Sequence, residues 1–188
     1  MASKSTSTAE KMLYEAVGAD EAGNKEKAAE IYLELIESQP DFAPAYVNMG
    51  TLYFQQRHYA QAAEYYKRAT EVQPNYSLAF FNYANVLEEL GYYEESISAY
   101  LRSVQIDPKH RDSHYNLALA YQRKSESRKA LRHWKAYVTL AGEKNDKWTK
   151  AAREEIKKLL ALDPIQVAFT NAAPARTFDP RPMLSLVQ

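Results

Sequence analysis

The chain has no cysteine, only five glycines, and equal numbers of basic and acidic residues, 24 of each. The missing cysteine excludes disulfides and thiolate metal sites. With so few glycines no Gly-rich phosphate loop is visible, and a net charge of zero argues against a nucleic-acid grip, which shows as a basic excess or patch. No run of about 18 apolar residues occurs, so no membrane-spanning helix is expected. The N-terminal MASKSTSTAE is polar and lacks the apolar core of a secretory signal. These absences point to a cytoplasmic protein without membrane or nucleic-acid partners. A chain of 188 residues is long enough for a real core, since a domain near 150 residues buries about 70% of its unfolded surface.

What the sequence does have is repetition. Pro40, Pro74 and Pro108 are spaced by 34 residues, and aligning on them brings other columns into phase. Tyr32, Tyr66, Tyr100 and Trp134 form an aromatic column. Ala28, Ala62, Ser96 and Ala130 form a small-residue column, and Ala16, Gly50, Ala84 and Ala118 a second. Tyr46, Phe80 and His114 form another, with Met12 as its weaker first member. Within one unit Tyr46, Met49 and Tyr53 recur at helical spacing, as do Ala62, Tyr66 and Ala69. Small residues let two antiparallel helices approach closely, and Tyr66 fills the space beside them. Gly23 and Gly91 share one position between the helical patterns, suited to the left-handed backbone that closes a helix. The closing proline stops the second helix, and Asp41 or Asn75 after it is placed to cap the next. No hairpin of this kind buries both its faces alone; stacking completes the core.

The 34-residue period with these columns resembles the tetratricopeptide repeat (TPR). The resemblance covers residues 9–144 as four units, 9–42, 43–76, 77–110 and 111–144, of which the middle two match best. The first departs at Met12 and Ala19, and the fourth ends on Gly142 in place of proline. The fold implied is an all-α, right-handed solenoid of helix hairpins. Residues 1–8 read as a flexible N-terminus and 145–162 as a capping helix, with Trp148, Ala152, Ile156, Leu159 and Leu160 on one face. Residues 163–188 form a tail with four prolines and the apolar Phe169, Phe178, Met183, Leu184, Leu186 and Val187. The run from Ala130 to Val138, with Trp148 and Ala151–Arg153, has a weaker similarity to bacterial TPR arrays that follow MerR-type DNA-binding domains.

Function must sit in residues that packing leaves over. In a TPR superhelix the first helix of each hairpin lines a concave groove. Asn48, Asn82 and Asn116 recur there 34 residues apart. Asparagine is a mediocre helix former, and its amide can both donate to a peptide carbonyl and accept from a peptide N–H. Such a ladder resembles that of the TPR superhelix of O-GlcNAc transferases; the alternative is a solvated face inherited by every repeat. Val47, Phe81 and Tyr115 precede the asparagines, and Phe54 and Asn85 fall at further groove positions. They would form an apolar strip for a ligand, or, for Val47 above all, be buried between hairpins. A carboxylate clamp needs Lys or Arg where Leu13, Tyr14, Val17, Leu78 and Phe81 stand, and Arg123 alone does not make one.

Catalytic and metal sites are not expected. His110 and His114 are four apart, but the first precedes a helix and the second fills a structural column; His58 and His133 read as isolated. Paired carboxylates such as Glu88 and Glu89 read as solvated helix faces. The expectation is a non-enzymatic, cofactor-free module that binds a protein or peptide segment. The alternative is a self-associating scaffold. In either case the segment Phe178–Val187 is a candidate to dock on its own or a neighbouring TPR surface.

Overall fold

The computed structural model of the chain describes residues 8–162. The expectations for residues 1–7 and for the tail, including its docking, lie outside the described residues. Among these, nine helices follow one another: α1 (Thr8–Glu21), α2 (Lys25–Ser38), α3 (Ala43–Gln55), α4 (Tyr59–Val72), α5 (Ser77–Glu89), α6 (Tyr93–Ile106), α7 (Arg111–Arg123), α8 (Ser127–Ala141) and α9 (Lys147–Leu162). Each odd helix pairs with the next even one, and each pair stacks on its successor. Of the odd helices, α3 also touches both α1 and α5, so the three share one layer. α9 packs on α8. The architecture is all-α, an array of sequential antiparallel pairs.

The small columns set the spacing within each pair. Ala28, Ala62, Ser96 and Ala130 are fully buried, as are Ala16, Ala84 and Ala118. At Gly50 the fit is tightest: a Cβ there would lie 2.7 Å from Cδ1 of Tyr66. The aromatic column Tyr32, Tyr66, Tyr100 and Trp134 is buried throughout. Burial raises the Tyr32 hydroxyl to about 12 and pushes Tyr66 and Tyr100 up as well.

The turn inside each pair uses a left-handed residue whatever its identity. Gly23 and Gly91 are at φ +83, but Arg57 and Ser125, at the same repeat position, also have positive φ, 62 and 57. The sequence revealed only the two glycines. All four turns close with the same pair of bonds: the left-handed residue donates three residues back, at 2.9–3.0 Å, and the next donates five back, at 2.8–2.9 Å. These bonds satisfy the last carbonyls of the first helix, which explains why Arg57 and Ser125 accept the strain.

The expected caps require correction. α3 and α5 start one residue later than Asp41 and Asn75 would need; Phe42 and Tyr76 occupy the cap positions, without a side-chain bond. Pro44 in the first turn of α3 has no N–H to satisfy. Elsewhere Asn24 accepts from the Lys27 N–H at 3.1 Å and Asp146 from the Thr149 N–H at 2.7 Å.

The carbonyl of each closing proline is also satisfied. Tyr46 OH donates to Pro40 O at 3.1 Å. His114 Nε2, six residues after Pro108, meets its carbonyl at 3.1 Å. Phe80, in the same column, has no donor; there Arg102 donates to Pro74 O at 3.3 Å and covers the Phe80 ring.

Candidate functional site

The three asparagines occupy one register position, yet their side chains differ. Asn48 turns back along its own helix, its Nδ2 donating to Pro44 O at 2.8 Å. Asn82 is half-buried and has no side-chain partner among the described residues. Asn116 reaches across to the previous hairpin, donating to Asn85 Oδ1 at 2.9 Å and to Tyr100 OH at 3.0 Å. Tyr100 OH donates to Asn85 Oδ1 at 2.6 Å, closing a three-membered polar cluster. The amide N–H groups of Asn85 and the Oδ1 of Asn116 take no part in these bonds. Both residues are partly exposed.

The apolar strip is only partly available. Val47 is 4% exposed and packs in the core between the second and third hairpins, so it offers a ligand nothing. Phe81 is half-buried, with the His110 ring 4.8 Å and the Tyr100 ring 6.0 Å away. Phe54 packs on Tyr59, centroids 5.3 Å apart. The position before the asparagine is covered by the neighbouring hairpin at Val47 and half covered at Phe81. Tyr115 differs. It lies edge-on to Trp134, Tyr137 and Trp148 at 4.9, 5.1 and 5.8 Å and still forms part of two cavity walls.

The first cavity, about 300 Å³, is lined by Arg111, Asp112, Tyr115, Asn116, Tyr137 and Trp148. The second, about 630 Å³, is bounded chiefly by Leu119, Gln122 and Arg123 of α7, Glu88 of α5 and Glu155 of α9, again with Tyr115. Its charges are paired: Arg123 bonds Glu88, and Glu155 accepts from Gln122 at 2.8 Å and from Lys158 at 2.6 Å. Burial raises the Glu88 carboxyl despite the guanidinium beside it. Gln122 Oε1 in turn accepts from Trp134 Nε1 at 2.9 Å, so one polar chain joins α7, α8 and α9. Trp148, read as part of the sealing face of α9, is 49% exposed at the mouth of the first cavity, whereas Ala152 and Leu159 are buried against the last hairpin.

Sequence reasoning therefore missed Arg111, Tyr137, Gln122 and Glu155 as site residues. None sits in a column repeated through the array. It also read His133 as isolated. The His133 and His114 rings meet at Nδ1–Nδ1 3.0 Å, both buried. The Pro108 carbonyl can only accept, so His114 carries its proton on Nε2 and receives the His133 Nδ1–H. Burial lowers both imidazoles, His133 to about 4, with His114 and Arg132 adding to the effect. Among the described residues no group of three His, Asp or Glu side chains could hold a metal ion, and no helix is long and apolar enough to cross a membrane.

Comparison with known proteins agrees with this architecture. Residues 47–111 match the family model of the tetratricopeptide repeat. No curated protein matches the chain in sequence. Among solved structures, PilF of Pseudomonas aeruginosa aligns with a TM-score of 0.70 at 19% identity, covering 87% of this chain and 72% of that one. MamA of AMB-1 aligns at 0.60 and 20% identity, covering 73% and 75%. The first TPR of Spaghetti, bound to an HSP90 peptide, aligns at 0.58 and 18% identity, covering 62% and 93%. At these identities the likeness is one of fold. The described helices form a tetratricopeptide-repeat-like array, and residues 47–111 match the repeat itself. Such arrays are in general protein–protein interaction modules.

Proposed function

We propose that the chain binds an extended segment of a partner protein along the face formed by α5, α7 and α9. The observation that carries this reading is Tyr115. It walls two adjoining cavities, next to an asparagine pair with unused hydrogen-bonding groups. Aromatic walls supply apolar contact, and the amides supply backbone recognition without sequence demand. Asn48 and Val47 fall outside this face as they stand, so the binding surface is the C-terminal half of the expected groove. In the second cavity Arg123 is paired with Glu88, and Glu155 with Lys158 outside the lining, which disfavours capture of a strongly acidic peptide.

Photo-crosslinking tests the reading. A photoreactive residue in place of Leu119, which is 39% exposed in the second cavity, should give discrete protein adducts in cells. The same residue in place of Ser98, exposed on α6, should not. Equal or absent labelling at the two positions would refute the proposal.

A further inference from the structure

The smaller cavity has a more specific chemistry, and the argument rests on the reading just given. Tyr115, Tyr137 and Trp148 present three rings, with Tyr115 edge-on to the other two. Two cations already lie over ring faces: Arg111 over Tyr137 at 4.9 Å and Lys147 over Trp148 at 4.7 Å. Two carboxylates stand by: Arg111 is 3.9 Å from Asp112 and 4.0 Å from Asp146. The charges balance. Both carboxylates share Arg111 and Lys147 lies on the Trp148 ring, so an incoming charged side chain would give up its water for a counter-ion that already has a partner, which is unfavourable. A neutral apolar group meets no such penalty. The volume, about 300 Å³, lies at the bottom of the range for ligand pockets and suits one side chain rather than a whole ligand.

The polar rim agrees. Asn116 lines the cavity and is tied to Asn85 through its own Nδ2. That bond leaves an acceptor on Asn116 and donors on Asn85, the complement of one peptide unit, which offers an N–H and a C=O. We infer that the cavity takes a bulky uncharged side chain, aromatic for choice, from an extended segment of another protein chain, and that Asn85 and Asn116 hold the peptide unit beside it.

The test uses the full chain and capped amino acids as probes. N-acetyl-phenylalanine methylamide should shift the Trp148 indole N–H and the Asn85 side-chain amide in NMR spectra, saturating in the millimolar range typical of weak single-residue contacts. The glycine, glutamate and lysine counterparts should not. Trp148→Ala, at a half-exposed position, should keep the fold and weaken the phenylalanine probe by about fivefold or more, read at Asn85. No shift with phenylalanine, or equal shifts with glutamate or lysine, would overturn the inference. If Phe178→Ser tightened probe binding several-fold, the chain's own tail would be the occupant, and the assignment to another chain would fall. Continued crosslinking at Leu119 with a silent phenylalanine probe would sink this inference while leaving the broader groove reading standing.

Discussion

The second hairpin and the fourth carry the same columns and treat them differently. Asn48 bonds its own helix, whereas Asn116 bonds the neighbouring hairpin. The cause stands 31 residues earlier, on the preceding odd helix. For Asn48 that position is Val17, which offers no polar partner. For Asn82 it is Thr51, whose hydroxyl already serves Val47 O at 2.9 Å and Tyr66 OH at 3.1 Å. For Asn116 it is Asn85, an amide able to answer. A repeated residue is therefore not a repeated interaction. Its role depends on the preceding unit, and only the last full junction has the matching pair.

The two regions should also respond differently to acid. The His133 imidazole sits near 4 in the folded chain against about 6.5 when unfolded. The folded state thus binds fewer protons. The stability from a neutral pair is complete above about pH 6.5 and is lost as pH falls toward about 4, on the order of 3 kcal/mol. Hydrogen exchange should show α7 and α8 opening first on acidification, with α3 and α4 unaffected. His133→Gln should flatten the pH dependence of the urea midpoint; an unchanged acid limb would remove the histidine pair from the comparison.

Gly50→Ala breaks the other side. A methyl group 2.7 Å from the buried Tyr66 ring must displace it, at about 1–3 kcal/mol. A melting temperature equal to the parent would show that the second hairpin is looser than its geometry says. Next in size comes the contrast between hydroxyls. Tyr100→Phe strips a cluster of three and should cost about 1–2 kcal/mol, while Tyr66→Phe, which loses one bond to Thr51, should cost about 1 kcal/mol or less. Denaturant midpoints of the two variants decide the order. For binding, Asn116→Ala should weaken the partner trapped at position 119 by about fivefold, the worth of roughly one hydrogen bond, and Asn48→Ala should leave it unchanged. Titration of both variants against that partner would expose a uniform ladder if their losses were equal. The smallest effect is a gain. Ser125→Gly relieves a left-handed serine and, after the extra freedom of unfolded glycine, should add about 0.5 kcal/mol.

The helical architecture was legible because packing repeats. Ala62 and Tyr66 recur in kind, and their burial follows from the columns alone. The left-handed turns were half legible: glycine announces such a backbone, while Arg57 and Ser125 adopt it because two hydrogen bonds per turn hold them there. The candidate site was legible only where it borrowed a column, at Tyr115, Asn116 and Asn85. Arg111, Tyr137, Gln122 and Glu155 could not be found from periodicity, since each gains its role from α9, which lies outside the 34-residue phase. Val47 follows the second reading given to its column, burial between hairpins. It sits in register with groove residues, but the next hairpin covers it.

The prolines that close each unit have a mechanical consequence. At each of the three junctions a different group grips the proline carbonyl: a phenol at Pro40, a guanidinium at Pro74, an imidazole at Pro108. Viewed as a coil spring, the array has clamps of unequal temper. Pulled from its ends, it should yield in steps rather than smoothly, and of the three clamps only the one at Pro108 would change its grip with pH, since its ring is the one coupled to a second histidine.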